Sequence, residues 1–339
     1  WCTIRMPSRQ AYEALSKQNS MLENDAFARF DTLANKADLS RLFEVLTSFK
    51  DQHGNHPVIT ANTIVANPDF PKIEAGGFEE YSYEPFYETI KRQPDGGEIL
   101  GLWKEGIEQG VFRPQLHGRE HVHVPAWLRL LRAGNEDLLA AFKWQCFGVP
   151  YRSRDKNKRR NLQAAFDYHD LGKEQAFQRL AVTEAAQLFY DYFGYFSRSF
   201  IAPAYIWHPV LEETLRKVDV QILQGISLQY IPQSNSYQKK IRFTGQVSAS
   251  GVRQVVRNCF FEPVLQPNRR WEDQVLKRIA KAFKVRKPAI LGTHRINFVG
   301  SLSHKNRDES LIQLRAILRQ IQKNWPEVEF IATDQLVLN

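Results

Sequence analysis

Apolar positions along the chain keep two rhythms, and the two take turns. Over 38–50, Leu39, Leu42, Phe43, Leu46 and Phe49 follow i, i+3, i+4, i+7 spacing, which predicts an amphipathic helix. Asp51, Gly54 and Asn55 end it, and Pro57-Val58-Ile59-Thr60-Ala61 reads as a short buried strand. The unit recurs. A helix over 98–109 stops at Gly110 and a strand over 111–116 follows. Pro125 suits the first turn of the next helix. A long helix over 173–193 ends at Gly194, before a strand at 199–202. Ser8 caps a further helix running to about Gln18. Helices are also predicted over 207–217, 271–283 and 308–325, and strands over 220–223, 252–257, 288–291 and 328–331.

Strand–helix alternation of this kind predicts an α/β fold with a parallel sheet, a distorted (β/α) barrel of about seven strands. A doubly wound sheet is the alternative, but it would want a glycine-rich phosphate turn, which the sequence lacks. The expected organisation is one catalytic domain over 1–339, with a basic loop insertion near 151–168.

Composition narrows the classes. Apolar residues make up 43% and charged residues 24% of the 339 positions, which excludes a wholly disordered chain. The net charge is +9. Much of the excess sits in Arg152, Arg154, Lys156, Lys158, Arg159 and Arg160, opposed by Asp155. No nucleic-acid-binding motif accompanies that run, so it reads as a solvated loop or a contact for an anionic sugar. Three scattered cysteines without a CxxC pair point to a reducing compartment, and the expected location is cytoplasmic. No apolar stretch reaches the length of a spanning helix.

Candidate chemistry gathers where strands end, the face on which barrels carry their catalytic groups. His117-Gly118-Arg119-Glu120-His121 directly follows the strand ending at Leu116, and two histidines four apart suit one metal ion. Pro288-Ala289-Ile290-Leu291-Gly292-Thr293-His294-Arg295 delivers His294 from another strand, placed to act as a general acid. Tyr205 and Trp207 offer rings for sugar stacking, and Arg257, Asn258 and Glu262 polar contacts to substrate. Asp167 is an isolated candidate for ligand or base.

With those motifs, the chain resembles the polysaccharide deacetylases of the NodB-homology type. It is most similar to a longer bacterial group labelled polysaccharide (de)acetylase. The likeness runs from Trp1-Cys2-Thr3-Ile4-Arg5-Met6-Pro7-Ser8 through Ile59-Thr60-Ala61-Asn62-Thr63 and the paired histidines. It continues through Ser199-Phe200-Ile201-Ala202-Pro203 to Thr293-His294-Arg295-Ile296-Asn297-Phe298. The resemblance implies a divalent metal, zinc first, on His117 and His121, with His294 as the acid. The family's aspartate pair has no counterpart here, and the resemblance implies acidic residues just before a segment like Trp1–Arg5. The family's Arg-x-Pro turn is here Ile201-Ala202-Pro203, so Arg119 or Arg295 is expected to replace its arginine.

The leading expectation is a metal-dependent hydrolase that deacetylates an N- or O-acetylated glycan or lipid-linked sugar. A glycoside hydrolase using two carboxylates, drawn from Asp167, Glu84, Glu262 and Glu120, is the alternative. An inactive glycan-binding protein is a third.

Overall fold

The computed structural model describes residues 1–153, 162–234 and 236–336. Its centre is a five-stranded parallel sheet of β1 (Ile59–Ile64), β2 (Phe112–Gly118), β3 (Ser199–Ile201), β4 (Ile222–Gly225) and β5 (Arg253–Val256). Spatial order follows sequence order, each strand beside its predecessor. Beyond it, Cys259–Phe260 pairs in parallel with Leu291–Gly292.

This is the expected α/β class with a parallel sheet, but strand content differs at two places. The segment 288–291 contributes only its last residue to a strand. The segment 328–331 forms no strand; Phe330 gives its amide to the Asp51 carboxylate instead. The sheet therefore has five strands where about seven were expected. A hairpin at Leu228–Pro232 and Tyr237–Ile241, which the apolar rhythm does not announce, is also present.

Helices cover the sheet much as the spacing predicts. They include α1 (Arg9–Gln18), α2 (Lys36–Thr47), α3 (Gly96–Glu108), α4 (Leu171–Phe193), α5 (Leu211–Lys217), α6 (Trp271–Lys284) and α7 (His304–Asn324). Ser8 caps α1 by accepting from the Ala11 amide, and α4 stops at Gly194 with φ +74°. The helix expected from 207 begins only at Leu211. The main core joins α2, α3, α4, α6 and α7 to the sheet through residues such as Leu39, Phe43, Trp103, Phe112, Phe189, Phe200 and Ile279. A second cluster around Trp127, Phe142 and Phe147 packs under α1 and the 124–143 helices.

Of the basic run, Arg152 pairs with Asp137 at 2.6 Å; the run's other members lie outside the described residues. Among the described residues no helix is long and apolar enough to cross a membrane.

Candidate active site

A cavity of about 1450 Å³ runs from the C-terminal ends of the strands, at His117, Ile201 and Arg257, past Ile59 at the start of β1 to Phe283 on α6 and Leu318 on α7. His117 reaches it from the C-terminal end of β2, just before Gly118, whose φ of +125° lets the chain leave the sheet sharply. Beside it the β1–β2 ladder slips between Thr63 and Ile64, an irregularity of the kind that re-aims side chains next to sites.

His121 follows in the short loop before the Val124–Arg132 helix and also lines the cavity. The two rings stand edge to face, 4.9 Å apart. His117 Nδ1 lies 2.7 Å from the Ile201 carbonyl. A carbonyl can only accept, so Nδ1 carries the proton and Nε2 keeps its lone pair. Burial holds His117 neutral down to a pKa of about 3 and pushes His121 well below the usual histidine range.

His294 comes to the same cavity from just beyond Leu291–Gly292. Its Nδ1 meets Glu262 Oε1 at 2.7 Å, and Asn297 donates to Glu262 Oε2 at 2.8 Å. The His294 ring is 45% exposed while Glu262 is almost covered. The pair thus presents one imidazole edge to solvent with a buried carboxylate behind the other.

The remaining sequence candidates divide. Arg295, Arg257 and Tyr205 line the cavity, and Arg257 Nη1 approaches the Tyr205 hydroxyl at 3.4 Å. The others do not line it. Trp207 is buried, its indole donating to Glu212 at 3.0 Å. Asn258 is occupied by the Pro288 carbonyl and the Ile290 amide, joining two chain segments. Arg119 is buried between Glu120 and Glu184, over the Tyr83 ring, so it stands with neither the histidines nor the substrate space. Asp167 is fully buried, accepting from the Tyr168 amide and the Tyr237 hydroxyl. Glu120 and Glu84 are likewise tied to Arg119 and Arg92.

Several residues at the cavity were not singled out beforehand. Arg5 lines it, 4.0 Å from Asp31, and Asp31 also takes the Arg295 Nε–H at 3.0 Å. Asn62 and Gln224 meet at its floor at 2.9 Å, and Gln224 continues through Ser199 to Gln115. The available signal was a polar residue inside an apolar strand, Gln115 before Leu116 and Gln224 after Leu223. Such a residue needs a buried partner.

As a metal site, the donor set present is two neutral imidazoles. Among the described residues no three His, Cys, Asp or Glu side chains converge as a metal-binding group. The pair fits a divalent ion as two of its ligands, His117 having the outer-nitrogen hydrogen bond that metal-bound histidines usually make.

No family model matches the chain, and no curated protein matches it. Among solved structures, it is similar to a 4-alpha-glucanotransferase from Thermococcus litoralis, at 10% identity and a TM-score of 0.41, over 94% of this chain and 37% of that one. A GH57 branching enzyme from Thermococcus kodakaraensis overlaps with 11% identity and a TM-score of 0.36, over 98% of this chain and 61% of that one. A GH57-type branching enzyme from Pyrococcus horikoshii overlaps with 11% identity and a TM-score of 0.34, over 95% and 58%. In each case the chain spans less than two thirds of the protein it is similar to.

Proposed function

We propose that this chain is a divalent-metal-dependent hydrolase of the polysaccharide deacetylase kind, acting on an N- or O-acetylated glycan or lipid-linked sugar. The observation that carries this reading is the convergence of His117, His121 and the His294–Glu262 pair on one cavity. On this reading the sheet is an incomplete (β/α) barrel. Strands in sequential order fit that better than a doubly wound sheet, whose order reverses at a switch point.

His117 and His121 would hold the ion, zinc being the first candidate for two imidazoles. Such an ion supplies Lewis-acid activation of the acyl carbonyl and of water. Glu262 accepts a hydrogen bond from His294 Nδ1–H and leaves Nε2 as the atom that exchanges protons with water and substrate. As water adds to the acyl carbon, His294 Nε2 takes its proton, and in the collapse of the addition product Nε2–H gives that proton to the departing sugar amine or alkoxide. Asn297 holds the second Glu262 oxygen, so the ring keeps its angle through the step. Tyr205 and Arg257, bonded to one another at the rim, orient the sugar.

A second reading, cleavage or transfer at a glycosidic bond, is favoured by Asp25, a carboxylate lining the cavity, and by Glu262 directly behind His294. That chemistry needs two carboxylates facing each other across the scissile bond. Product analysis separates the two. The full-length protein is incubated with N-acetylated chito-oligosaccharides and O-acetylated xylan, and free acetate and new reducing ends are both measured. Acetate without reducing ends supports deacetylation; reducing ends without acetate support the second reading; neither product contradicts both. His294→Gln lowers acetate release by about 10²–10⁴-fold in kcat.

A further inference from the structure

We infer that the cavity carries a carboxylate-binding subsite, so that its substrate is an acidic sugar such as a uronate; this rests on the deacetylase reading for what happens next but not for binding. Three guanidiniums, Arg5, Arg257 and Arg295, line the same cavity as the two histidines. Their hydrogen-bonding capacity is largely unspent. Arg5 approaches Asp31 at 4.0 Å and lies 5.1 Å over the Phe27 ring, with no hydrogen bond among the described residues, though its side chain is only 16% exposed. Arg257 has the 3.4 Å contact to Tyr205. Arg295 is buried and gives Nε–H to Asp31 and Nη2–H to the Thr3 carbonyl, while its Nη1 has no acceptor among the described residues.

A buried guanidinium N–H without an acceptor is costly, and an arriving anion removes that cost. The facing acids are Asp31, held by Arg295, and Asp25, whose Oδ1 accepts the Phe27 and Ala28 amides. Glu262 is engaged with His294. The cavity's other carboxylates among the described residues, Glu327 and Glu329, come from the segment after α7, where Glu329 meets His53 at 3.1 Å. Beside the three guanidiniums stand only Asp25 and Asp31, a local balance that suits a monoanionic carboxylate rather than a phosphate dianion. The apolar and aromatic lining, with Trp1, Phe27 and Tyr205, provides the ring faces a sugar needs.

Calorimetric titration of the full-length protein with D-glucuronate, D-glucose and glucose 1-phosphate tests this without turnover. Glucuronate binds about tenfold or more tightly than glucose, and Arg257→Gln or Arg5→Gln removes most of that preference while the circular dichroism spectrum stays that of the native protein. Equal binding of glucuronate and glucose, detectable binding of neither, or a clear preference for the phosphate overturns the inference. Acid preference without acetate release leaves the subsite standing and removes the deacetylase reading. Acetate release without acid preference does the opposite.

Discussion

Cys2, Cys146 and Cys259 are each buried, and burial pushes each thiol up to about 12. Thiolate, the reactive form, is then scarce at neutral pH. Native protein is expected to react with a thiol reagent at well under one equivalent per chain, rising to three on denaturation; fast reaction of any one in the native state would contradict the packing. His123 and Glu174 form a second buried pair, 2.7 Å apart. Burial works against the Glu174 carboxylate, yet His123 and the 169 and 170 amides outweigh it and hold its pKa below the ordinary glutamate value. The sign follows from linkage: a depressed carboxylate contributes stability that is present above its unfolded pKa and is lost as pH falls. Urea unfolding measured from neutral to well below pH 4.5 is expected to show the wild type losing more stability than Glu174→Gln once the pH falls below the ordinary glutamate value. Glu174→Ala itself costs about 3 kcal/mol near neutral pH by leaving His123 without its partner. At this scale His117, His121 and His294 were legible because each stood at a strand end. That Arg119 and Asn258 stand away from the cavity was not legible, because a polar residue after a strand looks the same whether it serves substrate or a protein partner elsewhere; Asp167 and Trp207 likewise serve protein partners, Tyr237 and Glu212.

Among the elements, the start of α2 shows how a cap is wired into the fold. Asn35 and Asp38 form a reciprocal capping box, and Asp38 also accepts from the Gly300 amide and from Arg307 Nη1, both at 2.9 Å. Asn35→Ala removes one cap contact and is expected to cost about 1 kcal/mol in thermal or urea unfolding. Asp38→Ala also strips a buried arginine of a partner, and about 3 kcal/mol is expected. Equal losses in the two variants would show that Arg307 is fully served by Asp308, which it meets at 2.8 Å. On α3, Gly106 has no room for a side chain: a Cβ there would stand 2.6 Å from the Phe43 ring. Gly106→Val therefore overpacks the α2–α3 contact, costing about 1–3 kcal/mol. The helices were the most legible elements, since α6 and α4 carry long apolar stripes and α4 a glycine stop. The 228–241 hairpin was not legible, because the outer strand Tyr237–Ile241 is largely exposed and lacks a buried alternating face. The strand expected at 328–331 failed because its amide at Phe330 is committed to Asp51, a contact that no local pattern encodes.

Across the whole molecule, a parallel sheet in sequential order brings strand ends from distant parts of the chain to one opening. His117, Arg257 and His294 meet there although they lie on separate β–α units. That convergence was predictable from alternation alone, while the Arg5–Asp31–Arg295 bridge was not, because it joins the first segment of the chain to one of the last. The central claim is that the paired imidazoles are a metal centre. It is tested most directly by elemental analysis of the full-length protein beside a His117→Ala, His121→Ala double variant, both dialysed after exposure to zinc, cobalt or nickel. About one equivalent of one metal in the wild type, and next to none in a variant with an unchanged circular dichroism spectrum, is the result expected for a single two-histidine-anchored ion. Metal absent from both proteins, or retained equally by both, would contradict it.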